Sequence, residues 1–119
     1  HAVEKLKNFT MAHGQCVAVG CMASAYISRK RGLISQEEYL EVAGQLQSFG
    51  LPLYVEGLST ESVLEATKSD KKMEKGQIKF VLMEKPGWAV VDTSVTDQEL
   101  CEAIESIRME NQEVRQENE

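Results

Sequence analysis

The stretch from His13 to Lys30 constrains this chain most. Its sequence, HGQCVAVGCMASAYISRK, is apolar or small almost all the way round a helical wheel, so it predicts a helix buried between other elements. Gly14, Gly20, Ala23 and Ala25 read as points where neighbours approach closely. Arg29, Lys30 and Arg31 place cations in the last turn, against the negative end of the helix dipole, and Gly32 supplies the stop. A chain of 119 residues makes one domain around such a helix. It can bury about two thirds of its unfolded surface, and it is too small to contain a dinucleotide-binding domain as well.

The other elements follow from capping and periodicity, and together they predict a mainly α, multi-helix domain with a short β-hairpin. A first helix is expected from Ala2 to about Phe9. Ser35-Gln-Glu-Glu38 forms a capping box, and Tyr39, Leu40, Val42, Ala43, Leu46 and Phe49 follow as the apolar face until Gly50-Leu-Pro52 ends the helix. Ser59-Thr-Glu61 opens another helix that carries Val63, Leu64 and Thr67 towards Asp70-Lys-Lys72. After Gly76, residues 77–82 alternate with Ile78, Phe80 and Leu82 on one face, and residues 88–91 form a second extended run. Lys85-Pro-Gly87 lies between, so a hairpin is expected. Thr96-Asp-Gln-Glu99 is a second capping box, with Leu100, Ala103, Ile104 and Ile107 on the core face of the last helix. Residues 1–109 then form the helical domain. Residues 110–119 offer only Val114 for burial, which predicts a frayed acidic tail.

Charge excludes some functions. Acidic residues outnumber basic ones by 19 to 13, and from residue 97 onwards there are eight acidic and two basic side chains, which leaves eleven of each before it. A balanced body with an acidic end has no basic stripe for phosphate backbones, so nucleic acid is not an expected partner. The longest mostly apolar run, Cys16 to Ile27, is too short to span a bilayer, and no membrane partner is expected. Cys16, Cys21 and Cys101 are odd in number and sit in apolar or helical patterns. They read as buried, reduced thiols of a cytoplasmic protein. The chain opens on His1 with no charged-then-apolar leader, so a missing upstream part is expected.

The candidate chemistry lies at the start. The two histidines of the chain, His1 and His13, fall within one short stretch. An imidazole at a helix terminus can face a cleft and bind a metal through a neutral ring nitrogen. Their spacing of twelve is neither an i, i+4 pair nor a zinc-finger spacing, and Cys16 one turn after His13 adds no third ligand, so spacing alone leaves capping or surface roles open. Lys71, Lys72 and Lys75 gather ammonium groups that could hold a phosphate or a carboxylate, or could form a solvated charge run. There is no phosphate-cradling glycine loop and no serine in a nucleophile motif.

Three segments in order, HAVEKLKNFTMAHGQCVAVG, DKKMEKGQIKFVLM and GWAVVDTSVTDQEL, resemble the C-terminal half of the 3-dehydroquinate synthase family. There a Gly-His-Thr-x-Gly-His-Ala-Ile/Val-Glu segment runs into a His-Gly-Glu-Ala/Cys-Val-Ala-x-Gly helix, and an Asp-Lys-Lys segment leads later to Phe-Val-Leu. The resemblance covers nearly the whole chain. It implies a lyase of the shikimate pathway of aromatic amino acid biosynthesis that converts 3-deoxy-D-arabino-heptulosonate 7-phosphate, a phosphorylated sugar acid, to 3-dehydroquinate and phosphate. It implies NAD held mainly by an N-terminal domain absent from this sequence, and a divalent metal, zinc or cobalt. On the matching positions, His13 is a metal ligand, His1 a catalytic and substrate-binding residue near the phosphate, and Lys71 or Lys72 a substrate contact. A homodimer is possible on the same ground.

Two departures from the family pattern matter. Gln15 stands where many members have glutamate, which removes a negative charge beside the metal ligand and puts metal affinity in question. The upstream ligands and the nucleotide domain are absent, so the chain alone is expected neither to bind zinc tightly nor to turn over. Other sugar-phosphate cyclases, of inosose or valiolone type, share these motifs. A helical interaction module without chemistry is the contrasting reading, and it predicts that His1 and His13 lie apart on the surface.

Overall fold

A computed structural model describes residues 1–7, 11–73, 80–85, 88–92 and 94–109. The elements are α1 (Ala2–Leu6), α2 (His13–Lys30), α3 (Gln36–Ser48), α4 (Thr60–Met73), β1 (Phe80–Lys85), β2 (Trp88–Asp92) and α5 (Asp97–Ser106). α2 is the centre: α1, α3, α5 and β1 all pack against it, and α4 packs on α1 and α5. Two apolar clusters fill the interior. The larger joins Val3, Val19, Met22, Leu53, Val55, Val63, Leu100, Ile104 and Ile107, and the smaller stacks Ile27 on Leu82 and Ala103.

α2 has the predicted bounds, but it is enclosed on one side only. Ala18, Val19, Met22, Ala25, Ile27 and Ser28 are buried, whereas Gly14, Val17 and Gly20 are exposed. A methyl group added at Gly14 or Gly20 would meet nothing within 4 Å. These two glycines are therefore not points of close approach, because that side of the N-terminal half faces open space and not a neighbouring helix. The buried hydroxyl of Ser28 is satisfied within the helix by donating to the Ser24 carbonyl at 2.8 Å.

The helix ends follow the sequence signals. After α2, Gly32 adopts φ +78°, its N–H donates to the Arg29 carbonyl and the Leu33 N–H reaches back to the Ser28 carbonyl, both at 2.9 Å. After α3, Gly50 at φ +73° and Leu51 repeat the arrangement on Gln47 and Leu46. Both are Schellman closures, which need a left-handed residue at this position. At the N-termini, Ser35 accepts from the Glu38 N–H at 3.1 Å while Glu38 accepts from the Ser35 N–H at 2.9 Å. Thr96 and Glu99 exchange the same pair of bonds at α5, and Ser59 accepts from the Ser62 N–H at α4. The first helix is shorter than expected. It stops at Leu6, and residues 8–10, where its predicted end falls, lie outside the described residues.

The apolar face expected for α3 is only partly used. Tyr39, Val42, Ala43 and Leu46 pack against the larger cluster, but no α3 residue is fully buried, and Leu40 and the C-terminal Phe49 remain 56% and 79% exposed. Among the described residues the helix packs chiefly on α2, so it has one stripe to cover, not a broad face. Among the cysteines Cys16 alone is buried. Cys21 and Cys101 are partly exposed, contrary to the expectation that all three would be enclosed, because both sit at the margins of their helices' packed faces; all three are free thiols.

β1 and β2 pair antiparallel, with Phe80 opposite Asp92 and Leu82 opposite Val90, and the register shifts between Met83 and Lys85. β1 extends to Lys85, beyond the predicted end at residue 82, because pairing with β2 continues past the alternating apolar residues. The predicted start of this strand at residues 77–79, the Pro86-Gly87 connection and the tail at 110–119 lie outside the described residues. Leu82 is fully buried against Ile27, which fixes the sheet on α2. Val55 bridges to Arg108, with the Val55 N–H donating to Ile107 at 2.7 Å and the Met109 N–H to Val55 at 2.8 Å, so the segment after α3 is tied to the end of α5. Among the described residues, no helix is long and apolar enough to cross a membrane.

Candidate metal and substrate site

The site begins with how α1 is held. Val3 is buried in the larger cluster, with Ala2 and Leu6 packed beside it, and Lys7 donates to the Glu56 carbonyl at 2.6 Å. With those side chains committed inward, Glu4 is turned towards the start of α2. His13 is the first residue of that helix, and its Nδ1 lies 2.8 Å from Glu4 Oε2. A carboxylate can only accept, so the ring N–H on Nδ1 donates, and in the neutral ring Nε2 carries the free lone pair. The Glu4 side chain is 19% exposed and that of His13 70%. The imidazole is thus anchored at one nitrogen and open at the other.

His1, Glu4, His13, Cys16, Val17 and Gly20 line one cavity of about 320 Å³. Four of them, His13, Cys16, Val17 and Gly20, follow the i, i+3, i+4, i+7 spacing of a single helical stripe. Gly20 adds no side chain to the cavity, and a methyl group there would meet nothing within 4 Å. His1, the N-cap of α1, comes to the same cavity as His13 although twelve residues separate them. Lys71 and Lys72 fall within α4, and their side chains lie outside the described residues.

The donor chemistry fits one ligand of a metal site. Burial, and after it the negative Glu4, push the Cys16 thiol above its ordinary pKa. Among the described residues, no group of three or more histidine, cysteine, aspartate or glutamate side chains is placed to hold a metal ion. His13 Nε2 can contribute to such a centre, and further ligands would have to come from outside the described residues.

Two residues read differently from their sequence context. Gln15, which stands where many family members carry glutamate, accepts from the Ala12 N–H at 3.2 Å and serves the start of the helix. Ala12 has no hydroxyl to return the bond, so only half of a capping box forms. The carboxylate on His13 comes from Glu4, to which the sequence reading gave no role. The signal lay in two patterns taken together: a glutamate off the apolar stripe of a short amphipathic helix, and a histidine opening the next.

The family model for the 3-dehydroquinate synthase C-terminal region matches residues 1–73. A 3-dehydroquinate synthase of Dehalococcoides mccartyi is 30% identical over 91% of this chain and 30% of its own length. One of Dichelobacter nodosus is 36% identical over 94% of this chain and 31% of its own. The chain therefore spans about 30% of the length of these curated relatives. In fold, the 2-epi-5-epi-valiolone synthase of Streptomyces hygroscopicus, solved with NAD+ and Zn2+ bound, superposes on 82% of this chain and 27% of its own with a TM-score of 0.74 at 22% identity.

Proposed function

The chain belongs to the 3-dehydroquinate synthase C-terminal family, and we propose that it is the helical metal- and substrate-binding part of a synthase converting 3-deoxy-D-arabino-heptulosonate 7-phosphate to 3-dehydroquinate and phosphate. The observation that carries this reading is the His13–Glu4 pair, 2.8 Å apart, at a cavity that also receives His1. These residues lie within the matched segment. His13 holds a divalent metal, zinc or cobalt, through Nε2. That ion, when bound, supplies a positive charge that acidifies a substrate hydroxyl.

The remaining roles belong to this chain's own side chains. His1 orients the substrate phosphate as a hydrogen-bond donor, and Lys71 or Lys72 adds a charge-assisted contact that contributes more than a neutral one. The cavity wall of Val17 and Gly20 leaves room for a small sugar acid and gives it an apolar side. NAD is bound chiefly by sequence that this chain lacks. Alone, the chain binds metal weakly and does not turn over, since one imidazole cannot complete a four-ligand centre.

The test is phosphate release from 3-deoxy-D-arabino-heptulosonate 7-phosphate by the full-length protein, with NAD, before and after chelation. Release that stops on chelation and returns with zinc or cobalt supports the reading. A folded, metal-loaded protein that releases none is instead a related cyclase, acting on a different sugar phosphate, or a non-catalytic module.

A further inference from the structure

The sequence motifs direct attention to His1 and His13, yet the side chain that decides what His13 can do is Glu4. Its carboxylate is four-fifths covered, on a helix whose Val3 and Leu6 are locked into the core, and it meets Nδ1 of a ring that is otherwise 70% exposed. An imidazole opening a helix with so little packing would be free to turn about its side-chain bonds and to exchange its proton between the two nitrogens. The hydrogen bond to Glu4 removes both freedoms. It fixes the proton on Nδ1, points Nε2 outward, and places a carboxylate behind the ring. Gln15, the nearer residue in sequence, is occupied with the Ala12 N–H and does none of this.

We infer that Glu4 is the positioning residue for His13, holding it as the Nδ1–H tautomer with Nε2 presented to a divalent cation. The inference rests on the reading of His13 as a metal ligand. Glu4 acts through His13 and does not itself touch the ion.

The experiment uses the full-length protein, stripped of metal, as wild type and as Glu4→Ala, Glu4→Gln and His13→Ala. Cobalt(II) binding is followed by its visible absorption, and the His13 ring nitrogens by 15N NMR before metal is added. Wild type should show the Nδ1–H tautomer. Glu4→Ala should lose that preference and weaken cobalt binding by roughly 10- to 100-fold. Glu4→Gln keeps an acceptor and nearly the same shape, so it should retain the tautomer and fall between the two in affinity. Its close shape also keeps the test valid if Glu4→Ala disturbs the fold. Wild-type affinity and tautomer in both Glu4 variants, with binding lost in His13→Ala, would overturn the role of Glu4 and leave His13 a ligand. Undiminished binding in His13→Ala overturns the metal reading itself, and the role of Glu4 with it. A Glu4→Gln variant that loses cobalt as completely as His13→Ala makes Glu4 a ligand in its own right and also overturns the inference.

Discussion

Arg31 grips Glu99 with two parallel bonds, Nε to Oε2 at 2.7 Å and Nη2 to Oε1 at 2.9 Å, so the end of α2 is forked onto the first turn of α5. The remaining Nη1 reaches Asp92 at 3.2 Å and Ser94 at 3.3 Å, which brings the end of β2 into the same clamp. Glu99 also completes the cap of its own helix by accepting from the Thr96 N–H. One guanidinium therefore sets the angle between the central helix, the sheet and the last helix, on the opposite end of α2 from His13.

This clamp makes stability depend on acid. The Arg31 hydrogen bond, first among the causes, lowers the Glu99 pKa from 4.5 to about 2, and bonds from Ser94 and then the nearby Arg31 lower that of Asp92. A carboxylate with a depressed folded pKa contributes stability that is fully present above its unfolded pKa and is lost as pH falls towards the folded value. The contribution of Glu99 is therefore constant above about pH 5 and disappears between pH 4.5 and about 2. Water reaches about a quarter of both side chains and screens the pair, so we expect a loss of about 1–2 kcal/mol, not the full value of the shift. Glu99→Gln keeps the cap and removes the charge. Its unfolding free energy, measured by denaturant from pH 6 to pH 2, should lie below wild type at pH 6 and converge with it at low pH. Parallel curves would show that the clamp is not the acid-sensitive element.

His13→Ala should separate chemistry from fold. The side chain is mostly exposed but donates to the largely covered Glu4 carboxylate, so its removal is expected to change unfolding free energy by about 1 kcal/mol or less. If His13 holds the proposed ion, the same change in the full-length protein should lower turnover by at least about 100-fold, since losing the ion removes a charge that stabilises the transition state. Denaturant titration and a phosphate-release assay on one preparation check both halves.

Much of this architecture was legible because it is enforced locally. The capping boxes at Ser35 and Thr96 and the stops at Gly32 and Gly50 are single-residue signals with a direct backbone consequence, and the bounds of α2 and α3 follow from them. Burial was less legible. Val17 and Gly20 belong to an apolar run and still face a cavity, and Phe49 completes a helical stripe and still stands in solvent. Periodicity says which side chains share a face, not whether another element arrives to cover it. The Glu4–His13 bond was hidden for a related reason. It joins two elements whose relative placement is set by the packing of Val3 and Leu6, and no spacing rule within either helix encodes it.

That difference between pattern and packing can be measured. Ile27 and Phe49 would both be scored as core residues by their apolar character, but Ile27 is 1% exposed between Leu82 and Ala103. Ile27→Ala leaves a cavity where the sheet meets α2 and α5 and should cost about 2–5 kcal/mol. Phe49→Ala is expected within about 0.5 kcal/mol of wild type. Equal losses for the two, measured by equilibrium unfolding, would mean that Phe49 is covered in solution.

The glycines give a final test, in which the same substitution should have opposite signs. Gly44 lies inside α3 with nothing within 4 Å of an added methyl group. Alanine there relieves the backbone entropy that glycine loses on entering a helix and should stabilise the protein by about 0.5–1 kcal/mol. Gly50, six residues later, also has open space around it, but its φ is +73°. An alanine side chain is strained in that left-handed conformation, and Gly50→Ala should destabilise by about 1 kcal/mol or more. Space alone predicts that both are tolerated; only the backbone angle separates them. Denaturant midpoints that move apart in these directions would locate the end of α3 in solution at Gly50, and a neutral Gly50→Ala would mean that the closure over Leu46 and Gln47 is not what ends the helix.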